Sequence, residues 1–408
     1  MEEQCFFIKG ANYVLTDERL QDALATIYET PERPRCMCIR GGVEMYVAKH
    51  RLFVIKRMPE TGSLHHPSCP SYASDLQQSG LGELMGEAVI EHSPESVELR
   101  VDFPLTRMLG RARIVGEQQT PADVNVPKRR MSLRAVMHFL FEKSGMNRWI
   151  PAMEGKRNQG VLHKYLTEAA EEITTKGMRL SERLYVPEPF SEASKLQNTE
   201  RRRNKLAFIQ SYVDGTHFNM AMILGEFKGS EATASGRRIF VKHMSDAPLL
   251  IDMKAWARIE RVYGKLFEAR DADTVRKPRL VMCALIYARR EHTYQIDTAS
   301  FMLTTDQWIP INGIDEIDLI QALIEQKRRF IKPMQYDAKS AAAFPNALLL
   351  DVGEAPVALH ILSRFMDEKE RALKNKVLKT DDGSQWAWNT DQPMPALPAE
   401  TRRHAARP

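Results

Sequence analysis

The sequence predicts a mixed α+β protein with a cysteine-rich β-hairpin module at its N-terminus, a central helical segment and a C-terminal α/β domain. Three observations carry this reading. Three of the five cysteines fall between residues 36 and 69, around two short apolar runs. Residues 132–175 carry apolar side chains at helical spacing. From Phe218 onward, strand-like apolar runs alternate with helical patterns. The predicted division is 1–120, 121–200, 201–388 and a disordered, Pro/Ala-rich tail at 389–408.

Composition bounds the rest. The chain has 408 residues, 43% hydrophobic and 27% charged, enough for two or three domains with real cores. A net charge of +5 is mildly basic and compatible with nucleic acid without pointing to it. The odd cysteine count argues against a secreted disulfide framework. The start, MEEQCFFIKG, lacks the design of a signal peptide, and no apolar run approaches a membrane span, so the expected location is the cytoplasm.

Taken in order, Cys5–Ile8 reads as a strand. Thr16-Asp17-Glu18 opens a helix bearing Leu20, Ala23, Leu24 and Ile27. Val43–Ala48 and Leu52–Ile55 form a hairpin. Ser79-Gly80-Leu81-Gly82 is a flexible break, Ala88–Ile90 and Val97–Val101 are paired strands, and Gln118–Pro127 is a polar linker. Ser132 caps a helix with Leu133, Val136, Met137, Leu140 and Phe141, and a second helix runs from about Gln159 to Thr175. The pair is helix-turn-helix-like, with an ordinary helical hairpin as the alternative. Residues 177–198 read as loop, and Glu200–Lys205 as the start of a helix. Strands follow at Asn219–Phe227, Arg238–Lys242, Arg279–Tyr287, Tyr294–Thr305, Asn346–Val352 and Pro356–Leu362; helices at Met253–Glu268, Asp315–Arg329 and Arg364–Lys376. Trp386 and Trp388 either stack on bases or pack as an edge strand, the second being favoured.

The hairpin returns the chain so that Cys36, Cys38, His66 and Cys69 converge, with His65 as the alternative ligand and His50 a third candidate. Three thiolates and one imidazole make a closed tetrahedral set, which predicts structural zinc. The bland alternative is free thiols in a reducing compartment. Cys5 and Cys283 lie in apolar contexts and read as buried, inert thiols. Candidate phosphate contacts are Lys128, Arg129, Arg130, Lys156, Arg157, Arg201, Arg202 and Arg203, with DNA the expected partner. Catalytic candidates are weak. Glu226 and Lys228 give an E-x-K at a strand end with Asp214 upstream, which could hold Mg²⁺ in a nuclease.

The run CMCIRGGVEMYVAKHRLFVIKRMPETGSLHHPSCPSY, with SLRAVMHFLFEKSGMNRWIPAMEGKR, LYVPEPF, LGEFK, IFVKHM, QWIPI, RRFIKPMQYD and PVALHIL, resembles a bacterial family of unknown function with three N-terminal cysteines, found on plasmids and integrative conjugative elements. The resemblance covers roughly residues 30–365. A second, weaker one is to competence nucleases, which place a Cys/His zinc element ahead of a PD-(D/E)xK domain. Here Asn346, Ala358 and His360 stand where that fold's metal-binding Asp and Glu and its Lys would be, which implies a version without catalysis. The expected function is that of a zinc-stabilised, DNA-associated, non-catalytic accessory protein of a mobile element. The alternatives are a Mg²⁺-dependent nuclease using Glu226 and Lys228, or a protein-interaction scaffold in a transfer, defence or anti-defence complex.

Overall fold

The computed structural model describes residues 4–49, 52–59, 61–93, 96–108, 129–210, 217–380 and 385–401. These residues form eight α-helices and five sheets, a mixed α+β architecture. The expected linker at 118–127, Lys128, Asp214 and His50 lie outside the described residues.

The N-terminal sheet is antiparallel, in the order Ala11–Val14, Cys5–Ile8, Arg35–Cys36, Val43–Lys49, Phe53–Arg57. The expected hairpin sets Val47 opposite Ile55. Leu20, Leu24 and Ile27 of the helix Leu20–Ile27 pack beneath the sheet with Phe6, Ile8 and Met45. The same cluster takes in Ile331, Leu348 and Leu350 from the far end of the chain. The N-terminal module is thereby seated on the C-terminal strands.

Ser132 caps the helix Leu133–Lys143, its Oγ accepting from Ala135 N at 3.2 Å. Every residue from Ala135 to Phe141 is buried. The helix-turn-helix expectation is not met. That motif needs a turn of about three or four residues, whereas residues 144–158 intervene here and Arg148–Trp149 pairs with Phe330–Ile331. The second helix ends at Glu171, because the β-branched run Ile173-Thr174-Thr175 leaves as a strand beside Val97 and Glu98. The supposed loop at 177–198 holds two short strands, the one-turn helix Leu180–Arg183 between them and the start of the helix Lys195–Lys205. Glu200–Lys205 is therefore the end of that helix, where cations suit the macrodipole, and not its beginning. Ser79–Gly82 is no flexible break. Gly80 N donates to Met334 O at 3.0 Å, and a Cβ on Gly80 would collide with the Gln335 carbonyl.

The largest sheet is mixed and mostly antiparallel, a departure from the expected α/β layering. Ala221–Thr233 pairs with Gly236–Val241, which pairs with Leu249–Asp252. Leu249–Asp252 meets Thr293–Thr304 in parallel, which pairs with Arg279–Arg290. Arg279–Arg290 then pairs back with Ala221–Glu226, closing a five-stranded ring. The first strand serves both neighbours by changing direction at a bulge between Phe227 and Gly229. The helix Met253–Ala272 connects the third strand to the fourth and buries Trp256 and Ile259 in the ring's core. The outer face of the ring is covered as well. Met222, Leu224, Val281, Cys283 and Leu285 belong to the core formed by the central helices. Burial on both faces explains the unbroken apolar run Ala221–Leu224.

A last sheet runs Trp386–Asn389, Val357–Leu362, Ala347–Leu349, Phe330–Ile331, Arg148–Trp149. Trp386 and Trp388 are buried in its edge strand. Their indole N–H groups donate to Ala396 O and Gln392 O, and Arg328 Nη1 donates to Pro398 O at 2.6 Å. Residues 390–401, expected to be disordered, are thus tied along the sheet.

Candidate metal centre

Four side chains converge where the hairpin meets the loop after it. Cys36 ends a short strand, Cys38 lies in the turn behind it, and His65 follows the 3₁₀ turn Gly62–Leu64. Cys69 closes a turn in which its N–H donates to His66 O at 2.8 Å. Their donor atoms all lie within 4.8 Å of one another. Cys36 Sγ is 3.6 Å from Cys69 Sγ, and His65 Nδ1 is 3.3 Å from Cys38 Sγ and 3.8 Å from Cys69 Sγ. A zinc tetrahedron with Zn–S of about 2.3 Å and Zn–N of about 2.0 Å has edges of about 3.8 Å between sulfurs and about 3.5 Å between sulfur and nitrogen. The observed separations fit.

The surroundings suit thiolates. His66 N donates to Cys38 Sγ at 3.4 Å, Ser71 N to Cys69 Sγ at 3.4 Å, and Gln4 Nε2 to Cys36 Sγ at 3.4 Å and Cys69 Sγ at 3.7 Å. Hydrogen bonds from Cys38, then Cys69, hold the Cys36 thiol well below its ordinary value, and the same contacts raise Cys38 and Cys69, so the metal-free group shares one thiolate and a cation is needed to ionise all three. Cys36, His65 and Cys69 are buried and Cys38 is partly exposed. Three thiolates and one imidazole fill four positions and leave none open, the pattern of a structural and not a catalytic zinc.

His65 takes the place expected of His66. The spacing could not decide between them, but the backbone does. Residue 65 leaves the 3₁₀ turn pointing inward and is 2% exposed. His66 instead turns its ring to Ser68, whose N–H lies 3.1 Å from Nδ1. Sequence reasoning also missed Gln4 and the two arginines that hold the metal loop. Arg148 donates to the carbonyls of Cys69, Pro70 and Tyr72, and Arg329 to that of Ser68. No sequence motif joins positions so far apart. Of the other thiols, Cys283 is buried and Cys5 half-buried.

The basic candidates divide by burial. Arg157 is buried over the Trp149 ring and donates to Met146 O at 2.8 Å and Gly145 O at 3.3 Å. Burial pushes its pKa down to about 10. Arg202 is 4% exposed and forks onto Asp246, and Arg129 pairs with Glu83 at 3.0 Å. Arg157 and Arg202 are thus committed inside the fold, while Arg129 stays exposed in its surface pair. Arg130, Lys156, Arg201 and Arg203 are exposed and have no ion-pair partner among the described residues.

Glu226 sits at the bulge of the ring's first strand, 3.1 Å from Lys242 Nζ and 2.9 Å from Arg279 Nη1, with Lys228 exposed two residues on. In the C-terminal hairpin, Asn346 donates to Glu316 Oε1 at 2.6 Å and accepts from Ile361 N at 2.8 Å. Glu316 also pairs with Lys332 at 3.1 Å. His360 is buried. Among the described residues no helix is long and apolar enough to cross a membrane.

No curated protein and no solved structure matches the chain. The model of a family described as proteins of unknown function, DUF1173, matches residues 6–391. With nearly its whole length matched, from the first strand through the cysteine stretch to the tryptophan edge strand, the chain belongs to the DUF1173 family.

Proposed function

We propose that this protein is a zinc-stabilised, non-catalytic accessory protein that associates with DNA. The observation that carries the reading is the closed Cys36/Cys38/His65/Cys69 group, whose donors match a zinc tetrahedron and leave no position for substrate. The metal's work on this reading is architectural. It fastens the strand end at Cys36 to the loop at residues 65–69, and Arg148 and Arg329 tie that loop to the last sheet, with which the N-terminal sheet already shares a core. The exposed cations Arg130, Lys156, Arg201 and Arg203 support contact with phosphates. The absence of catalysis is supported by Glu226. A carboxylate held between two cations, with Lys228 beside it, is poorly placed to attract a divalent ion. Asn346 points the same way. It donates to Glu316, which an ionised Asp at that position could not do. The resemblance to plasmid and integrative-element proteins is what suggests a mobile-element setting.

The test is titration of fluorescent DNA with the zinc-loaded protein at increasing salt. We expect affinity to fall steeply with salt. Arg201→Ala/Arg203→Ala should reduce the log–log slope by about one for each phosphate no longer held. No binding at low salt would sink the DNA reading and leave a protein-interaction scaffold. Mg²⁺-dependent cleavage that Glu226→Gln and Lys228→Ala each abolish, in folded protein, would make the chain a nuclease.

A further inference from the structure

The closed ring of strands has a specific order. Numbered along the chain, its strands run first, second, third, fifth, fourth and back to the first, with one helix between the third and fourth. The third and fifth strands meet in parallel at Leu250 and Gln295, and every other contact is antiparallel. The long first strand bends at a bulge to serve both neighbours. This is the topology of an OB barrel, a five-stranded Greek-key barrel that takes ligands across its second and third strands, beside the turn joining the fourth and fifth. Fold alone does not assign a ligand; the chemistry of that face has to.

That face holds an open cleft of about 360 Å³, at the lower end of the usual ~300–1,000 Å³ of ligand sites. Arg238 lines it from the second strand, Pro248 and Leu250 from the start of the third, His292 from the fourth–fifth turn, Thr293 from the start of the fifth strand, and Arg203 from the neighbouring helix. Arg202 and Asp246 also line it and offset one another's charge in their forked pair. Arg203 and Arg238 are left with no ion-pair partner among the described residues; Glu231, across the ladder from Arg238, makes no ion pair with it. Phe240, two residues beyond Arg238, stands on the same strand face and is half-buried. Two free guanidiniums around a cleft, beside an aromatic ring on the same strand face, suit a chain of phosphates whose bases are free to stack.

We propose that this cleft binds single-stranded nucleic acid, with Arg203 and Arg238 on the phosphates and Phe240 stacking on a base. The inference rests on the nucleic-acid reading above and gives it a surface and a strand preference. The experiment compares a 20-nucleotide dT strand with a duplex of equal length by anisotropy. It uses zinc-loaded wild type, Arg203→Ser/Arg238→Ser, Phe240→Ala, and a Lys369→Ser/Lys379→Ser control on the helix Glu368–Thr380, which contributes no residue to the cleft. We expect the single strand to bind at least tenfold tighter than the duplex. The double arginine variant should lose at least tenfold and Phe240→Ala about fivefold or more. The control should change little, and Arg203→Lys/Arg238→Lys should recover part of the loss. The arginines are exposed, so unchanged melting temperatures are expected to accompany the losses. If wild type binds DNA but the cleft variants bind equally well, or the duplex binds as tightly, the cleft assignment is overturned and the broader reading survives. If wild type binds no DNA, both fall.

Discussion

Arg148 holds the loop that carries Cys69. Its guanidinium donates to the carbonyl of Cys69 at 3.4 Å and to those of Pro70 and Tyr72. Arg148 itself belongs to the strand that pairs with Phe330–Ile331. From the next residue of the chain before that strand, Arg329 Nη1 reaches Ser68 O at 3.3 Å. The loop is thus gripped by the last sheet from outside, while the Cys69 sulfur faces Cys36 and His65 on the inside.

The consequence is linkage between the two ends of the chain. Arg148→Ala removes charged donors from three carbonyls and should cost about 2–4 kcal/mol of stability. Because metal binding and loop order are coupled, zinc should also dissociate more readily. Chelator competition and denaturant unfolding should move together. An Arg148→Ala protein with wild-type stability and wild-type zinc retention would show that the loop stands by itself.

One zinc per chain is expected after reducing, chelator-free purification. His65→Ala should lose it, because Nδ1 completes the tetrahedron with Cys38 and Cys69. His66→Ala should keep it, since that ring faces Ser68 and its contribution to Cys38 comes from the backbone N–H, which alanine retains. Elemental analysis reads both. The opposite pattern would return the ligand to His66.

The cysteine cluster was legible because soft ligands crowded beside turn formers have few other uses. Residue spacing alone gave no rotamer, so the His65/His66 choice was not. Single elements with strong local signals, such as the Ser132 cap and the hairpin at Val43–Arg57, were legible too. The turn Lys9-Gly10 was missed. Both residues have positive φ, which suits a tight hairpin, but lysine in place of asparagine hides the signal. The barrel was hidden for a different reason. Its closure depends on Ala221–Glu226 finding Val281–Ile286 and on one bulge at Phe227, long-range facts that no local pattern encodes. The tail looked disordered because its composition is Pro/Ala-rich. Its order comes from indole and guanidinium donors supplied by other elements.

Lys374 gives the fold a pH dependence of definite sign. Its side chain is 1% exposed and donates to Phe344 O at 2.6 Å. Burial is the main cause that brings its pKa down to about 7 from 10.5, with Lys332 adding to the depression and Glu316 opposing it. The unfolded chain keeps this proton up to the ordinary lysine range, whereas the folded chain releases it near neutrality. Between those values the unfolded state binds more protons, so stability rises with pH, at up to about 1.4 kcal/mol per unit from this group. The stabilisation is fully developed only above the ordinary lysine value and is lost as pH falls toward 7. His360, which burial and then Lys374 push down to about 3, acts in the same sense over the acid range between about 3 and its ordinary 6.5. Lys374→Met removes the titrating group while keeping most of the packing volume. Urea unfolding at several pH values between 7 and 10 should give a flatter profile for Lys374→Met than for wild type, with the variant gaining most at the neutral end. Parallel profiles would mean that Lys374 stays charged in the fold and that Glu316 stabilises it more than burial opposes it.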